Sequence, residues 1–86
     1  MNEEMKKLNP KAGQVEVRYF ATFRKNNIKK EFIKLMDEMT VKDILDLREI
    51  NENEVAILLV NGIRKTSHTV LEPGDIVALF PPVGGG

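Results

Sequence analysis

The stretch TVKDILDLREINENEVAILLVNGIRK, residues 40–65, predicts a helix, a buried strand and a tight turn in succession. Thr40 followed three residues later by Asp43 resembles a capping box, although Asp replaces the preferred Glu. The apolar residues after it fall near helical spacing and form one stripe: Val41, Ile44, Leu45 and Ile50. We therefore expect one amphipathic helix that covers one face of a sheet.

The second half of this stretch predicts a hairpin. Residues 55–60, VAILLV, form an uninterrupted apolar run bounded by turn signals, which is typical of a central strand. Asn61-Gly62 suits a type I′ turn, because both of its central positions need a positive φ. A short return strand is expected over residues 63–65.

Three further strands are predicted outside this stretch. Residues 14–20, QVEVRYF, alternate between apolar and polar side chains, and residues 28–35, IKKEFIKL, alternate again with Ile28, Phe32 or Ile33, and Leu35 as inward candidates. A turn at EPGD, residues 72–75, precedes the last strand, IVALF, residues 76–80.

The order strand, strand, helix, strand, short strand, strand predicts an α+β fold of the β-grasp type. About five strands of a mixed sheet would wrap around one main helix, as in ubiquitin-like proteins. A ferredoxin-like arrangement fits less well, because residues 67–72 are too few for a second long helix. We expect a flexible N-terminal arm at residues 1–13, the β-grasp domain at 14–80 and a flexible tail at 81–86.

Composition excludes several functions. The 86 residues suffice for one small core, and 13 Lys and Arg balance 13 Asp and Glu, so nucleic acid is not an expected partner. The absence of cysteine excludes a thiol nucleophile and thiolate metal ligands, and we expect neither a metal site nor a catalytic role for the single histidine, His68. No signal peptide or long apolar run is visible, so we expect no membrane partner and a cytoplasmic location.

The most specific motif is the C-terminal FPPVGGG, residues 80–86. Pro81 and Pro82 lack backbone donors and end the strand, so the chain must leave the domain there. The six residues 81–86 reach at most about 20 Å. Three terminal glycines lack side chains and can thread a narrow channel.

This tail predicts chemistry at the terminal carboxylate of Gly86. A bare carboxylate does not react with nucleophiles until it is activated, for example by adenylation with ATP. The sequence has no glycine-rich loop before a helix that would hold a nucleotide. We therefore expect no enzyme activity and no bound cofactor in this chain, and we expect a partner to use the ATP.

The terminal PPVGGG after IVALF, with EPGD before it, resembles the small sulfur-carrier subunit of molybdopterin synthase. It is also similar to archaeal ubiquitin-like small modifier proteins and, more distantly, to the thiamine sulfur carrier. The resemblance implies that an E1-like enzyme adenylates Gly86, which then becomes a thiocarboxylate. Gly85 and Gly84, preceded by Val83, Pro82 and Pro81, would thread the tail into the partner. The implied partners are that E1-like enzyme and either the large synthase subunit or target proteins.

The apolar run at residues 55–60 also suggests a docking surface. If Val55, Ile57 and Leu59 face the helix, the alternate residues lie on the opposite sheet face. A patch for partner docking would then contain Leu58, Val60, Leu79 and Phe80. A dimer or a cover of the chain's own loops would explain the same pattern.

Three functions remain open at this point. The first is sulfur carriage on Gly86, most plausibly in molybdenum cofactor biosynthesis. The second is protein modification, in which Gly86 forms an isopeptide bond to a lysine of a target protein. The third is a plain interaction module that uses its sheet face and is never acylated.

Overall fold

The computed structural model describes residues 13–82, so most of the predicted N-terminal arm lies outside the described residues. Its elements follow the predicted order: β1 (Gln14–Tyr19), β2 (Lys30–Lys34), α1 (Val41–Leu47), β3 (Ile57–Val60), β4 (Ile63–Arg64) and β5 (Ile76–Phe80). Short 3₁₀ helices lie at Ala21–Phe23 and Glu52–Glu54. No helix in this part of the chain is long and apolar enough to cross a membrane.

The five strands form one mixed sheet in the order β2-β1-β5-β3-β4. β1 and β5 pair in parallel, and the other neighbours pair antiparallel. β3, predicted as the central strand, lies inside the sheet, but the middle position belongs to β5. The predicted β-grasp arrangement of about five strands and one main helix is confirmed.

The helix begins as the capping box predicts. Thr40 Oγ1 accepts a hydrogen bond from the Asp43 N–H at 3.3 Å, and Asp43 Oδ2 accepts one from the Thr40 N–H at 2.9 Å. These two bonds satisfy backbone donors that the helix itself cannot use. Three residues of the predicted apolar stripe, Val41, Ile44 and Leu45, are buried on the helix. The fourth, Ile50, is also buried, but it follows the helix, which ends at Leu47.

The core lies between this stripe and one face of the sheet. Each of the long strands contributes alternate residues to that face, as the period of two requires. The buried strand residues are Val15, Val17, Tyr19, Ile33, Leu58, Val60, Val77 and Leu79. Phe23, Met39 and Leu71 close the core from the connecting segments.

The predicted turns are confirmed, and one of them has an added function. Asn61 and Gly62 have φ values of 54° and 81°, as a type I′ turn requires. The Asn61 side chain also accepts a hydrogen bond from the Ile76 N–H at 2.9 Å and donates one to Asp75 at 2.8 Å. The β3–β4 turn is thereby fastened to the beginning of β5.

The structure decides the inward residues of β2. Ile33 is buried and Leu35 packs against the core, whereas Phe32 points to the other face. Ile28 was wrong as an inward candidate, because it precedes the strand and lies exposed on the connection.

A polar network joins β1, β2 and the C-terminal end of the helix. Arg48 donates two hydrogen bonds to the Glu31 carboxylate, at 2.6 and 2.8 Å, and the Tyr19 hydroxyl donates a third. The Arg48 hydrogen bonds are the main cause that lowers the pKa of Glu31. Burial, together with the Glu31 charge, raises the pKa of Tyr19 well above its usual range. The network fixes the helix over the end of β1.

We expect Glu31→Gln to lower the free energy of unfolding by about 1 kcal/mol at neutral pH, a modest value because the Arg48 side chain is 39% exposed. The folded-state pKa of Glu31 lies below the ordinary 4.5, so its contribution is present above that pH and lost as the pH falls through the folded value. The difference between wild type and variant should therefore shrink in acid.

Urea unfolding of both proteins at neutral and acidic pH measures this difference. Asp46→Asn, which removes the partner of Lys42 in an exposed ion pair, is the matched control and should change the unfolding free energy little. A Glu31→Gln difference that stays constant or grows in acid would contradict the assignment.

Candidate functional site: tail exit and open sheet face

The last strand ends where the prolines predict. The Phe80 carbonyl accepts a hydrogen bond from the Ala56 N–H at 2.8 Å, and the Leu79 carbonyl accepts one from the Phe20 N–H at 3.3 Å. Pro81 has no N–H to continue the ladder and is half-buried, and Pro82 is exposed. The chain therefore leaves the sheet at the end of its middle strand, β5, between the end of β1 and the beginning of β3.

The residues beyond this point carry the predicted chemistry. Val83, Gly84, Gly85 and Gly86 lie outside the described residues, so their threading and activation stay predictions. Pro81 and Pro82 lie at the exit, where the tail would have to begin.

Three of the four residues predicted for the docking patch lie on the opposite side of the sheet, next to the helix, so the prediction was wrong for them. Leu58, Val60 and Leu79 are 8%, 5% and 0% exposed and pack in the core beneath the helix. They cannot contact a partner. Six consecutive apolar residues carry no alternation, so the pattern did not indicate which parity faces the helix; packing against Val77 and Leu79 of β5 decides it.

The opposite parity forms the surface that we call the open face: Phe20, Ile57, Leu59, Ala78 and Phe80. Ile57 lies opposite Phe80, and Leu59 lies opposite Ala78, on the sheet side away from the helix. Ile57 is 39% exposed, and Phe20, Leu59, Ala78 and Phe80 are half-buried. Phe80 is thus the one member of the predicted patch that remains on a surface.

Two aromatic rings mark the end of the open face at the tail exit. Phe20 and Phe80 stack with their ring centroids 4.2 Å apart and their planes 11° apart. The Arg24 guanidinium lies 5.5 Å from the Phe20 ring centroid, and its Nε donates a hydrogen bond to the Tyr19 carbonyl at 2.9 Å. This stack holds Phe80, which is the last residue before the tail, in one orientation.

Arginines border the apolar centre on both sides. Arg18 lies beside Ala78 on β1, and Arg64 lies opposite Leu59 on β4. Arg18 is paired with the buried Glu16 at 2.5 Å, while Arg64 is exposed. Because Glu16 neutralises Arg18, the cations without an ion pair in the described residues at this border are Arg64 and the Arg24 that lies over Phe20. They suit a partner surface that is apolar with an acidic rim. Sequence analysis missed these arginines, because nothing in a single sequence aligns β1 with β4.

The described residues contain no group of acidic or histidine side chains that could hold a metal ion. His68 is exposed on the connection between β4 and β5. A pocket of about 240 Å³ lies beside Tyr19, between Phe23, Ile28 and Ile50, and its carboxylate, Glu31, is already bound to Arg48. These features do not form a catalytic arrangement around the tail exit.

The structure has a mixed five-stranded sheet around one helix, and its C-terminal tail continues from the end of the middle strand. This arrangement defines a ubiquitin-like β-grasp protein of the carrier and modifier class. The chain belongs to the ThiS family, whose model matches residues 17–86. The match includes the whole C-terminal tail.

Relatives of known name agree with this assignment. The chain is 36% identical to Small archaeal modifier protein 3 of Haloferax volcanii, over 85% of this chain and 99% of that protein. It resembles the solved structure of a putative molybdopterin converting factor, subunit 1, from Pyrococcus furiosus, with a TM-score of 0.68, 28% identity, and 84% and 100% of the two chains covered.

A third similar structure is a complex of subunits 1 and 2 of the molybdopterin-converting factor from Helicobacter pylori. It matches with a TM-score of 0.58 and 28% identity over 85% of this chain and 99% of that chain. The similar proteins thus include both a modifier and subunits of a converting factor.

The corrected parity of β3 makes a direct prediction about stability. Leu58→Ala should lower the free energy of unfolding by about 3 kcal/mol, because it leaves a cavity in the core. Ile57→Ala, one residue earlier on the open face, should lower it by less than about 1 kcal/mol. Urea unfolding of the two variants checks this order, and the reverse order would show that the strand faces the other way.

Proposed function

We propose that this chain is a sulfur carrier that acts through the carboxylate of Gly86 and serves molybdopterin biosynthesis. A carboxylate oxygen of Gly86 attacks the α-phosphorus of ATP on a partner enzyme, and pyrophosphate leaves. Sulfide-level sulfur (HS⁻) then attacks the acyl carbon of the acyl-adenylate, the C–O bond to AMP breaks and AMP leaves, so that a thiocarboxylate remains. That thiocarboxylate delivers its sulfur to a precursor of the molybdenum cofactor.

The observation that carries this proposal is the position of the tail exit at the border of the open face. Phe80 lies on the open face, and the next residue, Pro81, is the first of the tail. A partner that covers the open face therefore receives the tail at the edge of the same contact. Six residues reach at most about 20 Å, so the partner's catalytic cleft can hold Gly86 if it lies within that distance of Pro81.

The same geometry supports a division of labour between the chain and its partners. The exposed Ile57 and the stacked Phe20 and Phe80 supply apolar area for docking, and the arginines around them favour an acidic rim. In this proposal the chain acts as a carrier and leaves nucleotide binding and catalysis to its partners. The partners are an E1-like adenylating enzyme, which uses ATP, and the large subunit of molybdopterin synthase.

Protein modification is the second candidate, and one observation favours it. The relative that is 36% identical to this chain is named as a modifier protein. In that function the activated Gly86 forms an isopeptide bond to a lysine of a target protein, and the same activation step comes first. The two functions differ only in the nucleophile that receives the acyl group, which is sulfur in one and an amine in the other.

We expect the full chain to support ATP–pyrophosphate exchange by an E1-like enzyme, and we expect a chain that lacks Gly85 and Gly86 to support none. The truncated chain ends in the carboxylate of Gly84, which falls two residues, or about 7 Å, short of the position that Gly86 reaches, but it keeps the open face and the core. Its circular dichroism spectrum should match that of the wild type, and its binding to the enzyme should persist. Exchange with the truncated chain, or none with the full chain, would refute the proposal.

Intact-mass measurement of the chain isolated from cells separates the two candidates. Replacement of one terminal oxygen by sulfur supports the carrier. Tryptic fragments in which residues 66–86 are joined to lysines of other proteins, without any thiocarboxylate, would overturn the carrier and support the modifier, since Lys65 is the last tryptic site of this chain.

The open face has its own test. Ile57→Asp should raise the KM of the activating enzyme for this chain at least about tenfold, because it buries a charge in the apolar contact. Ile63→Asp, which makes the same change at an exposed residue of the sheet edge, is the matched control and should leave the KM unchanged. Equal effects of the two variants would exclude the open face as the docking surface.

A further inference from the structure

We propose that the outer edge of β2 binds an extended segment of a partner protein, which adds as a sixth strand and carries acidic residues on both sides of an apolar centre. The site, called the edge groove, lies between β2 and α1. Its lining has the apolar residues Phe32, Ile33, Met36, Met39 and Leu47 and the charged residues Lys34, Asp43 and Arg48. Phe32 lies on the same side of the sheet as the open face, but β1 separates the edge groove from the open face and from the tail exit.

The backbone of β2 presents free hydrogen-bonding groups at this edge. Lys29 and Leu35 are bonded to β1, since the Tyr19 N–H donates to the Lys29 carbonyl at 2.8 Å and the Leu35 N–H to the Gly13 carbonyl at 2.6 Å. In an antiparallel pair such bonding alternates along the strand, so Glu31 and Ile33 also bond to β1. The N–H and C=O groups of Lys30, Phe32 and Lys34 therefore point outward, and within residues 13–82 no strand lies beyond them.

Apolar side chains lie beside these free groups. Phe32, Met36 and Leu47 are 46%, 60% and 53% exposed, although large apolar residues favour burial. Ile33 and Met39 are buried and form the floor of the groove, which has a volume of about 550 Å³. An added strand would place every second side chain into this groove, opposite Glu31 and Ile33, so those side chains should be apolar.

The charges of the edge select the partner. Lys30 and Lys34 are exposed and have no ion pair in the described part of the chain. Asp43 also lines the groove, where its carboxylate is held by the helix cap, and Arg48 is paired with Glu31. Along β2 itself, the charges without an ion pair in the described residues are therefore those of Lys30 and Lys34. Acidic residues directly opposite the two lysines would form favourable cross-strand pairs.

The same two lysines disfavour a second copy of this chain as the occupant. Two β2 strands that paired antiparallel about Phe32 would place Lys30 of each copy opposite Lys34 of the other. Like charges directly opposite each other are destabilising, and lysines on edge strands prevent self-association for this reason. The edge therefore accepts an acidic segment and rejects its own copy.

The edge groove and the tail exit can work at the same time. β2 forms one edge of the sheet, and β1 separates it from β5, which ends at the tail. A partner bound at the edge groove leaves the open face and the tail exit at Pro81 and Pro82 accessible. Binding there does not depend on the proposed activation of Gly86.

A synthetic peptide tests this site. The probe is Glu-Val-Ile-Val-Glu flanked by Gly-Ser pairs, and the control peptide has Lys in place of both Glu. In NMR titrations of the full chain we expect the Glu peptide to shift the amide signals of Lys30, Phe32 and Lys34 and to slow their hydrogen exchange. The signals of Ile57 and Phe80 should stay in place, and the Lys peptide should bind at least about tenfold more weakly.

Two variants and their matched controls distinguish the groove from a nonspecific contact. Leu47→Asp should weaken binding of the Glu peptide at least about tenfold, whereas Ile63→Asp at the far edge should not. The double variant Lys30→Glu with Lys34→Glu should reverse the preference and bind the Lys peptide more tightly. Lys65→Glu, an exposed lysine after β4, should leave the preference unchanged.

Several results would overturn this proposal. They are no shift with the Glu peptide, shifts confined to the open face, an unchanged preference in the double variant, or edge signals that move with protein concentration alone, which would show self-association. A chain that lacks Gly85 and Gly86 should bind the peptide as the wild type does. Loss of exchange activity with intact peptide binding would therefore separate the two functions.

Discussion

The insertion of β5 between β1 and β3 is the constraint on which the rest of the structure depends. The last strand of the domain occupies the middle of the sheet, and Val77 and Leu79 are fully buried beneath the helix. Parallel pairing with β1 and antiparallel pairing with β3 satisfy its backbone on both sides. Because the C-terminal tail follows directly from this strand, it leaves a rigid centre and not a fraying edge. A carrier whose terminus must enter another protein's cleft benefits from such a fixed base.

The two faces of the sheet divide the work. The helix covers one face with Val41, Ile44 and Leu45, and that face supplies the stability of a small domain. The other face keeps Ile57 and the stacked Phe20 and Phe80 at the surface, beside the point where the tail begins. Exposed apolar area reduces solubility, and the open face nevertheless keeps such area, with arginines at its border. In the proposed carrier function, the end of β5 would therefore couple docking to delivery of the tail.

The outcomes of the predictions follow from how much each signal depends on local chemistry. Thr40 and Asp43 predicted the helix start correctly, and Asn61-Gly62 predicted the hairpin correctly, because caps and turns involve residues adjacent in sequence. The strand at residues 55–60 was found, but its inward face was assigned wrongly, since apolar residues at every position carry no period. The edge groove had no sequence signal, because its residues come from β2, the following turn and the helix.

By itself the sequence determined the elements, their order, the β-grasp fold and the special character of a terminus made of two prolines, a valine and three glycines. Each of these depends on near neighbours, on hydrophobic periodicity or on the absence of side chains. Only the tertiary structure decided which side of β3 is buried, that Phe80 stacks on Phe20 under Arg24, and that β2 presents free backbone groups beside a groove. The physical reason is register: which residues oppose one another across strands is set by packing of the whole core, and one position of difference exchanges the two faces of a strand.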